Sequence, residues 1–404
     1  MQQSDTSIEG NPSQKGTARI NKWSRKLILG FLIFIIGSVA ILVVVPAVSP
    51  AVGANMADFL RTVFGPQPVA LLESVSFHLH DTISRYLYHG ERPQIGWNRQ
   101  SPLILQASNS RGHIISHGSA AMLALAGGDV VTAMPQIGWQ TYGPTVNGAN
   151  ALARVLINND PQRPYTGIAL VRIDLSKLQV HMMPGYLEPS HSPQVVKAFP
   201  SLGMIPAGDR DKLIAAFNGG FKTINGHFGM MVNGLTLIQP RPNIATVAIY
   251  RDGHIQIGAW EKDIFPSTDM IALRQNCPPL IDAGQLNSDL SYNNRNEWGY
   301  TGNTDITWRT GLGISQDSRY LIYAVGNGTS AMTLAQALKD AGAYSAMQLD
   351  INQYYAHFET YQPDHSSNPT ASKLVAERLL DKMINEVHLY LTPNTRDFFY
   401  LTAR

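Results

Sequence analysis

The sequence predicts an α/β or α+β protein, a mixed β-sheet with flanking helices, preceded by one N-terminal transmembrane helix. Three observations lead there. Leu27 to Val48 reads LILGFLIFIIGSVAILVVVPAV, 22 residues without a charge. From Tyr165 onward, short apolar or alternating runs are separated by Asn-Gly, Asp-Gly and Gly-Gly turns, the pattern of strands. In that region only Thr333 to Ala341 and Ser372 to Glu386 place apolar residues at helical spacing.

At about 1.5 Å rise per residue the apolar run spans about 33 Å, enough to cross a bilayer core. In lipid each backbone group must be bonded internally, which requires a helix. Lys15, Arg19, Lys22, Arg25 and Lys26 precede the run, against only Asp5 and Glu9, and the chain after it is nearly uncharged until Asp58 and Arg61. The positive-inside rule keeps residues 1–26 cytoplasmic and puts everything beyond residue 50 outside. A cleaved signal peptide has a shorter apolar run, of about 7–15 residues, and Pro50 fits badly in a cleavage site at Ala47 to Ala51. A buried core helix would carry a polar face. The reading is an uncleaved single-pass anchor with an extracytoplasmic domain.

The 356 residues after Val48 suffice for one large domain or two ordinary ones. Net charge is +2 and no basic block lies outside the tail, which argues against nucleic acid as a partner. The lone Cys277 excludes an internal disulfide and thiolate zinc clusters, and reads as a buried inert thiol.

Residues 49–164 read as a juxtamembrane helical and irregular region. Asn55 to Tyr88 forms helical pieces broken at Gly65-Pro66-Gln67-Pro68, with Leu71, Leu72, Val75, Leu79, Ile83 and Tyr86 near one face. His78, His80 and His89 fall here and read as surface histidines rather than metal ligands. Residues 90–165 read as an irregular linker. Then comes the domain of 165–404. Gly167 to Asp174 and Leu178 to Met183 read as a hairpin, and Leu213 to Phe217 as a buried strand. Two-residue or Asp-Gly turns join Gly229 to Val232 with Leu235 to Ile238, and Thr246 to Tyr250 with His254 to Ile257. Thr310 to Ser315 and Tyr320 to Val325 form a further pair. The Thr333 helix, a short strand Ala346 to Asp350, the Ser372 helix and a closing strand Arg396 to Leu401 complete the chain.

Three places offer chemistry. Asn218-Gly219-Gly220 ends a strand and presents successive backbone N–H groups, a candidate anion nest, or an ordinary turn. Arg309-Thr310 opens a strand, suited to a two-pronged grip on phosphate or to a structural ion pair. Asp350 stands at the exit of a buried strand, with Asn352 two residues on. His227 is a candidate proton donor in a turn. Asn327-Gly328-Thr329 is formally a glycosylation acceptor but reads as a functional edge. Asp282, Asp305 and Asp350 are candidate holders of a divalent cation.

The run AAFNGGFKTINGHFGMMVNG, then RTGLGI, then GNGTSAMTLAQALKDAGAYSAMQLD resembles the phosphodiester glycosidase family over residues 165 to 362. Asn218, Gly219, Gly220 and Phe221 match its Asn-Gly-Gly-Phe turn, Arg309 and Thr310 its Arg-Thr strand, and Asp350 the aspartate of its final motif. Asn327 stands where many relatives have aspartate. Ile351-Asn352-Gln353-Tyr354-Tyr355 replaces Gly-Gly-Gly-Ser. The resemblance implies hydrolysis of a glycosidic link to a phosphodiester, in an envelope glycan or glycolipid. Arg309, Thr310, Asn327 and the 218–220 turn would hold the saccharide phosphate, and Asp350, Asn352 and His227 would carry the catalysis. The alternatives are a non-catalytic module that captures envelope glycan or phosphoglycan, and a structural membrane protein that assists envelope assembly.

Overall fold

The computed structural model describes residues 50–90, 137–189, 193–291, 297–299, 302–364, 374–385 and 387–404. The expected anchor at Leu27 to Val48 lies outside them, and among the described residues no helix is long and apolar enough to cross a membrane. Two helices come first, α1 (Pro50–Phe64) and α2 (Pro66–Tyr86). The chain reverses at Gly65, whose φ of 82° favours glycine. Arg61 on α1 meets Glu73 on α2 at 2.5 Å. Arg163 grips Asp81 of α2 with two nitrogens, at 2.6 and 2.7 Å, and so docks the helices onto the domain.

The domain's elements are β1 (Gln140–Val146), β2 (Ala149–Ile157), β3 (Ile168–Asp174), β4 (Leu178–Met183), α3 (Pro193–Ala198) and β5 (Leu213–Asn218). Next come β6 (Met230–Val232), β7 (Leu235–Ile238), β8 (Ala245–Tyr250), β9 (Ile255–Ala259), β10 (Met270–Gln275), β11 (Ile281–Asp282) and β12 (Gln285–Leu286). The last are β13 (Thr307–Ile314), β14 (Tyr320–Thr329), α4 (Ala331–Asp340), β15 (Ser345–Gln348), β16 (Phe358–Pro363), β17 (Leu374–Arg378) and β18 (Phe398–Ala403). They build three sheets, ordered β1-β2-β3-β14-β13-β15-β11-β12, β7-β6-β10-β8-β9 and β17-β16-β5-β18-β4. The fold is sheet-rich α+β with few helices. Side chains from the first and third sheets share one core, in which Phe217 packs against Tyr323, Phe399 and Phe358 at centroid distances of 5.1, 5.4 and 5.8 Å. The helix α4 covers the first sheet with Leu334, Ala335, Ala337 and Leu338, and Ser330 caps its first turn.

Three expectations are corrected. The strands β3 and β4 do not pair with each other: β3 joins β14 and β4 joins β18. Both are buried along nearly their whole length, so the chain turns a corner between sheets at Leu175 to Lys177. The expected linker contains the hairpin β1–β2, which extends the first sheet and turns at Asn147 and Gly148, with φ of 50° and 74°. Of that stretch, 91–136 lies outside the described residues. Within the expected Ser372 helix, Leu374–Arg378 is instead the edge strand β17, paired from Glu359↔Arg378 to Pro363↔Leu374. Over five residues an alternating pattern and a helical one are hard to tell apart, and an unpaired edge of β16 takes the backbone.

Candidate active site

The site lies where the first and third sheets meet. The third sheet pairs β5 with β18 so that Phe398 faces Asn218. This places Arg396 and Asp397, just before β18, beside the glycines just after β5. Asp350, just past β15, closes the seam by donating its N–H to the Gly219 carbonyl at 3.1 Å. The cleft so formed is lined by residues including Asn218, Gly219, Gly220, Asp350, Tyr355, Tyr390, Arg396 and Asp397, with about 240 Å³ of space between atoms, part of it open to solvent.

The Asn-Gly-Gly turn is built for close approach, but to the protein itself. A Cβ on Gly219 would sit 2.0 Å from an Asp397 oxygen, and one on Gly220 would sit 2.9 Å from the Arg274 guanidinium carbon. The Gly219 N–H donates to the Asp397 carbonyl at 3.0 Å, and that of Gly220 to the Asp397 carboxylate at 3.1 Å. The Phe221 N–H donates to the Asn276 side chain at 3.1 Å. The expected anion nest is therefore filled by the chain's own carboxylate. Arg274 locks that carboxylate in place with Nε at 2.9 Å and Nη2 at 3.2 Å. Both partners are nearly inaccessible to solvent, and a buried charge pair of this kind holds only with good geometry and further hydrogen bonds.

Asn218, Thr310 and Asp350 do come together. The Asn218 amide donates to Thr310 Oγ1 at 2.9 Å, and Thr310 donates to the Asp350 carbonyl at 2.6 Å. Asn218 Oδ1 accepts from the Tyr323 hydroxyl at 2.8 Å. These are bonds that tie strands together, and they leave the Asn218 amide fully engaged. Arg309 does not reach the cleft. Its guanidinium is wholly buried and donates to the carbonyls of Thr329, Trp298 and Asp305 and to Gln348 Oε1, at 2.7 to 3.2 Å. Burial pulls its pKa down to about 10, with Asp305 opposing. The phosphate-gripping arginine expected at 309 is a scaffold arginine.

The remaining candidates also lie off the cleft lining. Asn352 accepts from the Tyr354 N–H at 2.9 Å and so closes its own turn, while its backbone N–H holds Asp350 Oδ1 at 2.9 Å. His227 is exposed on a turn at φ 48°. Asn327 is half-buried on β14. Asp282 pairs with Lys262, and Asp305 accepts from the Gly302 N–H at 2.8 Å. Neither joins Asp350, and among the described residues no three acidic, histidine or cysteine side chains cluster to hold a metal. Cys277 is buried, and burial drives its thiol pKa up.

The cation that does meet Asp350 is Arg396. Its Nη2 donates to Asp350 Oδ2 at 2.6 Å and to the Gly220 carbonyl at 2.9 Å. Its Nε is buried with no hydrogen-bond partner among the described residues. The Tyr355 ring lies over this guanidinium at 4.4 Å, a cation–π contact. Burial pushes the Asp350 carboxyl above the usual carboxylate range, against the pull of Arg396 and the Asn352 N–H. Burial also lowers the Arg396 pKa, but the Asp350 and Asp397 carboxylates outweigh it and raise the net value. A buried acid with a raised pKa, paired to a guanidinium with donors to spare, can move a proton beside an anionic group. Arg396 was hidden in the sequence within an expected closing strand. Its one signal was a charged Arg-Asp pair directly before an apolar run.

A sheet-rich α+β domain with an acid–arginine pair at a sheet seam is the class defined by this geometry. Residues 211–350 match the family model for phosphodiester glycosidase, so over that stretch the family resemblance read in the sequence is shown. No curated protein matches the chain. Among solved structures, the chain is similar to the zebrafish N-acetylglucosamine-1-phosphodiester alpha-N-acetylglucosaminidase catalytic domain, auto-inhibited by pro-peptide. Identity is 15%, coverage 66% of this chain and 88% of that one, and the TM-score 0.41. A hypothetical protein from Synechocystis is similar at 11% identity, with 66% of this chain and 64% of that chain covered and a TM-score of 0.32.

Proposed function

We propose that this protein hydrolyses the glycosidic bond between a sugar and a phosphodiester. The observation that carries the reading is the Asp350–Arg396 pair, at 2.6 Å, in a cleft floored by the family's own Asn-Gly-Gly turn. Water adds to the anomeric carbon, the bond from that carbon to the phosphate oxygen breaks, and a reducing sugar and a phosphomonoester leave. Asp350 accepts the proton of the attacking water, and the Arg396 guanidinium bonds a phosphate oxygen as negative charge gathers there. Phosphate is a good leaving group, so no second proton-donating carboxyl is required. The substrate belongs to an envelope glycan or glycolipid, and Leu27 to Val48 anchors the chain in the membrane that carries it.

Full-length protein in detergent, given a sugar phosphodiester, should release free sugar detectable by chromatography. Asp350→Asn should slow release by about 100- to 10,000-fold, the usual worth of a general acid–base group. Undiminished release in that variant removes Asp350 from the mechanism. A binding module is the second reading, and Tyr355 favours it: its ring covers Arg396 just past the point where the family has glycines. That reading predicts saturable capture of the same ligand with no product by mass spectrometry after long incubation.

A further inference from the structure

The helical pair α1–α2 carries a surface that the hydrolase site does not explain. Of the 17 exposed large apolar side chains among the described residues, nine fall between Phe59 and Leu87. On α2 and just past it, Leu71, Val75, Leu79, Ile83 and Leu87 recur every four residues and are between 47% and 67% exposed. Residues four apart stack on one side of a helix, so these form one stripe of about 24 Å at 1.5 Å per residue. Tyr86, 85% exposed, lies on the same side, and Phe59 and Val63 of α1 are exposed as well. The opposite face is the one that docks: Val69, Ala70 and Asp81 are buried. The charges are spent elsewhere, with Glu73 on Arg61, and Asp81 on Arg163 and, at 3.5 Å, on Arg85. Isolated apolar residues on a surface are ordinary, but a contiguous stripe marks something that covers it.

We infer that a lipid bilayer covers it. The uncharged segment Leu27 to Val48 stops two residues before α1 begins at Pro50. A segment that leaves the bilayer there delivers α1 and α2 to the headgroup layer, with the polar face on the domain and the apolar face turned outward. An amphipathic helix in that position sinks its apolar face about 5–10 Å into the headgroup–acyl boundary, and aromatic residues such as Phe59 and Tyr86 suit that depth. The hairpin thus lies flat on the outer leaflet and holds the domain close to lipid-borne substrates. This inference rests on the anchor named in the proposed function and is independent of the hydrolysis.

The test uses full-length protein reconstituted into phosphatidylcholine–phosphatidylglycerol vesicles. Cys277 is fully buried, so a maleimide dye reaches only an introduced cysteine. Leu71→Cys, Leu79→Cys and Ile83→Cys, labelled with an environment-sensitive dye, should each lose emission to nitroxide-bearing lipids. Lys212→Cys, on an exposed turn, should lose none. Unquenched stripe labels on protein that survives a carbonate wash overturn the inference. So does dye self-quenching that grows with the protein-to-lipid ratio, which would mean that a second copy covers the stripe. The cysteines are labelled in detergent before reconstitution; failure to react there, with labelling restored in urea, also overturns it, because the chain's own segments would then cover the site. Loss of the whole protein in the wash removes the anchor and this inference together, and sugar release would be untouched.

Discussion

Two buried arginines stand within one domain and do different things. Arg309 sits inside the first sheet and spends its donors on three backbone carbonyls and a glutamine oxygen. Arg396 sits at the sheet seam, holds a carboxylate and a carbonyl with one nitrogen, and keeps Nε unpartnered. The same desolvation acts on both. Without a carboxylate on its guanidinium, Arg309 falls to about 10, while Arg396, flanked by Asp350 and Asp397, is raised. Burial alone therefore says nothing about function. An arginine saturated by carbonyls organises the backbone, whereas one paired to an acid with a donor left over can bind and react.

The comparison breaks most sharply at Arg309. Lysine there keeps the charge but has three donors for four acceptors, so Arg309→Lys should lower stability by about 1–3 kcal/mol, the cost of one orphaned buried acceptor. A urea midpoint shift reports it, and an unshifted midpoint denies the scaffold role. At Arg396 the same exchange should leave the midpoint nearly in place and raise KM for the sugar phosphodiester about 10- to 100-fold, the worth of one charge-assisted hydrogen bond. If the two variants swapped phenotypes, the assignment of roles would be reversed.

The pH profile sharpens the contrast. Asp350 is raised by burial and held down in part by Arg396, so its limb in the rate profile should lie above the ordinary aspartate value of about 3.9. As a proton acceptor it works ionised, and activity should rise with pH through that limb. Arg396→Gln removes a charge that favours the carboxylate, so the limb should move to higher pH. A limb that stays put or moves down shows that the pair is not formed in solution. The smallest effect is expected at His227, which is exposed and off the cleft. His227→Ala should change stability by less than about 0.5 kcal/mol and leave sugar release unaltered.

Particular elements show what could be read from the chain. The Asn233-Gly234 turn, at φ 51° and 75°, and the β13–β14 pair follow local pattern. The hairpin at Asn147-Gly148 carried the same signal and was hidden by its Pro- and Gly-rich surroundings. Whether β3 pairs with β4 or turns a corner depends on partners more than a hundred residues away, and no local pattern encodes that. In the site, family motifs pointed to Asn218, Arg309 and Asp350 sharing one cavity; Asn218 and Asp350 line the cleft, and Arg309 does not. The Arg396–Asp397 pair was not legible, because its role exists only where β18 pairs with β5.

By itself the amino-acid sequence determined the strand-rich character, the main turns, the helix of 331–340 and the resemblance of residues 211–350 to the phosphodiester glycosidase family. Those properties are written in short-range periodicity, in residues that tolerate a left-handed backbone, and in motifs whose spacing is visible along the chain. Tertiary structure decided which arginine faces the acid, what fills the glycine turn and which face of α2 is left uncovered. Each of these depends on distances between segments far apart in sequence, and only packing brings those segments together.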